Sequence, residues 1–124
     1  MSNRVANVRA EANTIIGIEV RGRGKVVRRC QVTRTGGSTQ SSVAEGIFLR
    51  GPQNQALDND VSDAQGTSSG NGISVSEGDG SVVQRNRMSL TAPGGCGATG
   101  KYRDNLTVGV TTPYQGGTNA GNNQ

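Results

Sequence analysis

Histidine and tryptophan are missing from this chain of 124 residues, and phenylalanine occurs once. Without histidine, Ser-His-Asp and Cys-His nucleophilic arrangements are excluded, and so is histidine ligation of a metal. Only two tyrosines join the single phenylalanine, too few and too scattered to form a stacking platform for bases. Cysteine is scarce as well. Cys30 and Cys96 match no zinc or Cys-x-x-Cys redox spacing, which leaves either one disulfide or two separate buried thiols. Long apolar runs are also absent: Ile15-Ile16-Gly17-Ile18 falls far short of the roughly 18 residues of a membrane span, so no membrane role is expected. Arg4, Arg9 and Glu11 interrupt the stretch where a secretory signal needs continuous apolarity, which predicts synthesis in the cytoplasm without Sec export.

What is present is glycine, 20 residues of it, with 31% hydrophobic residues and a net charge of only +4. Disorder needs low hydrophobicity together with high net charge, and the second condition fails. The expectation is one folded domain with a thin core, for which a cross-link or contacts with other subunits supply the missing stability. From Ile16 to Val32 the apolar residues recur with a period of two, interrupted at Arg21-Gly22-Arg23-Gly24 and broken again at Arg28. This predicts strands over 14–21 and 25–34 joined as a hairpin, the glycines supplying positive φ. A buried strand follows over 43–50, ending at Gly51-Pro52. Residues 51–71 read as a long surface excursion anchored by Leu57 and Val61. A second hairpin joins Ile73–Ser76 to Ser81–Thr91, with Val82, Met88 and Leu90 on one face. The last strand alternates Tyr102, Asp104, Leu106, Val108 and Val110 with polar residues. The whole predicts an all-β sandwich or jelly-roll-like domain of about six strands over residues 14–112. It is flanked by an N-terminal arm, 1–13, in which 4–12 suits a short helix as well as a strand, and a flexible tail, 113–124.

No catalytic, cofactor or metal site is legible. Lys25 and Lys101 sit on charged strand faces as solvated residues rather than nucleophiles. Asp58, Asp60 and Asp63 resemble the start of a calcium loop, but Ser69 stands where the twelfth-position Glu belongs, so they read as solubilising charge. Charge is unevenly placed. Residues 1–34 carry Arg4, Arg9, Arg21, Arg23, Lys25, Arg28, Arg29 and Arg34 against Glu11 and Glu19; residues 35–80 carry Arg50 against Glu45, Asp58, Asp60, Asp63, Glu77 and Asp79. A nucleic-acid module accounts for the basic block but not the acidic one, and nucleic acid is set aside as a partner. Complementary patches on identical subunits or on a protein lattice account for both. The expected contact residues are Arg21, Arg23, Lys25 and Arg29 on one hairpin face, with Ile15, Ile16, Ile18 and Val20 as an apolar strand.

The stretch Gly100-Lys101-Tyr102-Arg103-Asp104-Asn105-Leu106-Thr107-Val108-Gly109-Val110 resembles the closing strand of spore-coat-protein-U-like pilins. That resemblance implies an extracellular fibre subunit that polymerises by strand donation, with Ile15 to Val20 as donor. In composition and size the chain is also similar to small decoration or cement proteins of tailed phages. The leading expectation is therefore a non-enzymatic, homo-oligomeric structural subunit of a virion that reinforces a capsid lattice; the pilin-like fibre subunit is the alternative.

Overall fold

The computed structural model describes residues 3–36, 43–89, 94–98, 100–110 and 112–124, with backbone alone for 94–98. It is all-β, as the period-two pattern predicts, but the strands coil into a parallel β-solenoid rather than a sandwich or jelly roll. Each turn of the coil contributes one strand to each of three sheets. Sheet A contains β1 (Arg4–Ala6), β4 (Val26–Arg28), β7 (Gln55–Leu57), β10 (Val82–Gln84), β13 (Lys101–Arg103) and β16 (Thr118–Asn119). Sheet B contains β2 (Arg9–Glu11), β5 (Gln31–Thr35), β8 (Asp60–Ala64), β11 (Arg87–Ser89) and β14 (Leu106–Val108). Sheet C contains β3 (Ile16–Arg21), β6 (Val43–Arg50), β9 (Ser69–Ser76), β12 (Gly94–Ala98) and β15 (Thr112–Gln115).

The core is a set of in-register columns. Val5, Val27, Ala56, Val83 and Tyr102 stack along sheet A, and Ala10, Val32, Val61, Met88 and Thr107 along sheet B. Ile18, Ile47 and Ile73, with Val20, Leu49 and Val75, line sheet C. Most of these side chains are fully buried, so a chain with few large residues still builds a continuous core by repeating small ones. Sheets B and C approach closely where sheet C has glycine. A Cβ on Gly17 would lie 2.3 Å from Val32 Cγ1, and one on Gly46 would lie 2.3 Å from Val61 Cγ1 and 2.6 Å from the Gly72 carbonyl oxygen.

Neither expected hairpin forms. Gly22 and Gly24 do adopt positive φ, 101° and 68°, but the turn they make leads onward to sheet A instead of folding β4 back on β3. The break at Arg28 is a corner: Arg29 has φ 51°, and the chain turns there from β4 into β5. Arg85 and Asp104, at 53° and 52°, place the same corner inside the expected strands 81–91 and 101–110. Beyond the corner the inward face changes, so Leu106 and Val108 are exposed while Asn105 is buried. Strand β6 matches the expected buried strand 43–50 and lies inside sheet C between β3 and β9. Residues 51–71 are no loop excursion; they contain β7, β8 and the start of β9, with Val61 inward and Leu57 on the outer face. The segment 4–12, which suited helix and strand alike, holds β1 and β2, and 113–124 holds β16 and most of β15, all paired into the sheets.

Candidate interface at the corner and the open end

The corner between sheets A and B repeats in every turn and concentrates the polar chemistry. Its outer position holds Asn7, Arg29, Asp58, Arg85, Asp104 and Asn122, all in the left-handed region that asparagine and aspartate tolerate better than arginine. The next residue forms a column that is buried at Cys30, Asn59, Asn86 and Asn105 and ends at the exposed Val8 and the half-buried Asn123. Asn59 and Asn86 are 2% exposed, and each amide closes the corner of its neighbours. The Asn86 N–H and Nδ2 donate to Asn105 Oδ1 at 3.0 and 3.1 Å, while Asn86 Oδ1 accepts from the Asn59 N–H and Nδ2 at 2.9 Å each. Asn59 Oδ1 accepts from the Cys30 N–H at 3.0 Å, and Asn123 Oδ1 accepts from the Asn105 N–H at 3.1 Å. Asparagine fits because one planar amide supplies the donor and acceptor needed along the stack. Cys30 ends the asparagine run as a free, buried thiol, its Sγ 3.3 Å from the Arg28 carbonyl oxygen, so the structure forms no bridge from it. Cys96 lies on β12, opposite Ile73 and Tyr114 in the backbone register.

On the outside of the corner and along the sheet faces, charged side chains pair within the chain. Arg85 contacts Asp58 through two hydrogen bonds, 2.6 and 3.2 Å. This hydrogen bonding holds the Asp58 carboxyl below its ordinary value. Asp104 is likewise lowered, chiefly by its hydrogen bond from Arg103. Glu11 pairs with Arg9 and Arg34, and Arg50 with Glu77 at 3.7 Å. On the outer face of sheet C, burial raises the Glu45 carboxyl above its ordinary value, and its Oε2 has no hydrogen-bond partner.

The residues expected to share a hairpin face are dispersed. Arg21 lies on β3 and pairs with Glu19 at 2.6 Å; Arg23 donates from Nε to Gln53 Oε1 at 2.8 Å; the Lys25 N–H donates to Asn54 Oδ1 at 2.7 Å. These three follow the turn from sheet C to sheet A, whereas Arg29 stands at the next corner. The apolar segment separates too: Ile18 belongs to the core, Val20 packs against it, Ile16 is half-buried, and Ile15 is exposed.

These apolar residues nevertheless sit at a distinctive place. β1, β2 and β3 are the outermost strands of their sheets, and among the described residues no strand pairs with their far sides. Around that end Val8 and Ile15 are 41% and 40% exposed, and Val5 and Ala10 are only partly covered. The opposite end is built differently. Tyr102 and Tyr114 stack at 4.8 Å, Tyr114 donates to the Asn105 and Gln124 carbonyl oxygens, and Asn119 replaces the apolar residue of the inner column. Both ends leave strand edges without a partner strand among the described residues; the β1–β3 end exposes Val8 and Ile15, and the other carries the tyrosine stack and Asn119. No protein-family model, curated protein or solved structure matches this chain.

The repeat that builds the corner was present in the sequence as Asp58-Asn59, Arg85-Asn86 and Asp104-Asn105, each preceded by an inward residue two positions before the charged one. Unequal connections between turns hid its period.

Proposed function

We propose that this chain is a non-enzymatic structural subunit that joins a larger protein assembly through the open end of its solenoid, in the setting of a virion lattice that it reinforces. The observation that carries the reading is the unpaired edge formed by β1, β2 and β3, flanked by exposed Val8 and Ile15. An uncovered parallel edge is a template for strand addition, and solenoids whose terminal turn lacks a polar cap associate through it. A strand-adding contact between unlike ends propagates into a fibre, which keeps the extracellular fibre subunit as the second reading, because β14, β15 and β16 present edges at the other end. The test compares wild type with Val8→Lys and Ile15→Lys, charges that block edge pairing. Sedimentation velocity over a wide concentration range should show reversible assembly of wild type and monomers of both variants with unchanged far-UV circular dichroism. Electron microscopy of the wild type then separates discrete particles from filaments. A wild type that stays monomeric at every concentration, and fails to assemble in the presence of lattice protein, would sink the proposal.

A further inference from the structure

Six of the eleven arginines pair with carboxylates within the chain; of the other five, Arg23 and Arg87 stand apart and three lie together. Arg9, Arg21, Arg34, Arg50, Arg85 and Arg103 pair with carboxylates. Arg4 and Arg28 project from the outer face of sheet A, because the residues between them and their neighbours, Val5 and Val27, point inward. Arg29 follows directly at the corner with φ 51°. These three have no ion pair among the described residues. The Arg28 Nε is buried and has no hydrogen-bond partner, which is costly for a charged donor.

The acidic group nearest to hand is already committed. Asp58, next to Arg29 along the corner column, receives both hydrogen bonds of Arg85. The other neighbours are Asn7 on the corner, Val26 and Leu57 on the sheet face, none of which brings charge. Burial, and then the positive fields of Arg29 and Arg4, pull the Arg28 guanidinium below its ordinary value, while Asp58 acts in the opposite sense. Like charges gathered around an unmet donor form an arrangement that an anion relieves.

We propose that Arg4, Arg28 and Arg29 form a binding site for an oxyanion, a phosphate or a carboxylate group. Guanidinium forks suit both, since each offers paired oxygens to parallel N–H donors. The site lies beside the open end but does not depend on strand addition there.

Equilibrium dialysis with inorganic phosphate, and in a second arm with acetate, tests it, sodium chloride holding ionic strength constant. Saturable binding near one anion per chain is expected, weakened at least ten-fold in Arg4→Gln and in Arg28→Gln. Arg28→Lys, which keeps the charge but loses the fork, should fall between wild type and Arg28→Gln. Arg87→Gln, on the outer face of β11, should bind as wild type does. Circular dichroism checks each variant's fold, and Arg4, on an edge strand, serves if Arg28→Gln does not fold. Saturation by phosphate alone assigns a phosphate-bearing ligand; saturation by acetate as well assigns a carboxylate-bearing one. Failure of both anions to saturate, or equal affinity in wild type and Arg4→Gln, overturns the proposal.

Discussion

Replacing Asn86 by alanine isolates the contribution of the asparagine column. The Asn59 N–H, buried at the corner, has Asn86 Oδ1 as its acceptor at 2.9 Å, so the substitution leaves a backbone donor unpaired where water does not reach. An unsatisfied buried donor costs about 1–3 kcal/mol. Asn59 Nδ2 and Asn105 Oδ1 each lose one partner but keep another, Val27's carbonyl and the backbone N–H of residue 86, and the Ala56 carbonyl loses the Asn86 Nδ2 donor, together adding about 1 kcal/mol. The expected loss is therefore about 2–4 kcal/mol, a large fraction of the roughly 5–15 kcal/mol that stabilises a domain. Asn123→Ala removes the same chemistry at the last step of the column, where the Asn105 N–H is only partly buried and water replaces the lost acceptor. Its cost should stay below about 1 kcal/mol. Urea unfolding followed by far-UV circular dichroism measures both. Equal losses for the two variants, or a loss below about 1 kcal/mol for Asn86→Ala, would refute the reasoning that burial gives the column its weight.

Gly46→Ala should prevent proper closure of sheets B and C, because its Cβ meets Val61 and the Gly72 carbonyl, whereas Gly36→Ala, whose Cβ meets no atom of the described residues within 4 Å, should leave the urea midpoint unchanged. Glu45→Gln should raise the melting temperature at pH 7: the folded carboxyl titrates above its ordinary 4.5, so its ionised form penalises the fold. The difference from wild type should vanish below pH 4.5, where the carboxyl is protonated folded and unfolded alike. Asp58 and Asp104 work in the opposite sense, and the stability they add at neutral pH should be lost as pH falls below their ordinary 3.8 and through the lowered folded values. In a Cys96→Ser background, the buried Cys30 thiol should react with a disulfide reagent only at the rate of opening, and rapidly in urea; fast labelling of the native protein would contradict its burial.

Much of the local structure was legible in the chain itself. Alternation of apolar and polar residues established an all-β protein, glycines marked positive φ at 22 and 24, and the span of β6 followed from Val43, Ile47 and Leu49 ending at Gly51-Pro52. The absence of histidine excluded whole classes of catalytic chemistry before any fold was known. Only the tertiary structure decided that the strands run parallel, because a period of two is the same for a hairpin and a coil. The neighbours of Val27 are Val5 and Ala56, each a full turn away, and no local signal records such a pairing. A two-residue corner reads along the sequence as a defect in the alternation. Arg28 thus looked like an exception, while Arg85 and Asp104 passed as ordinary positions of alternating strands, until stacking placed them beside or upon one repeated column. Stacking also reordered the charges. Asp58 from the acidic block meets Arg85 across turns, while Arg4, Arg28 and Arg29 have no carboxylate paired with them among the described residues. Those outcomes depend on which turn lies above which, and that is set by hydrogen bonding between residues distant in sequence through connections of unequal length.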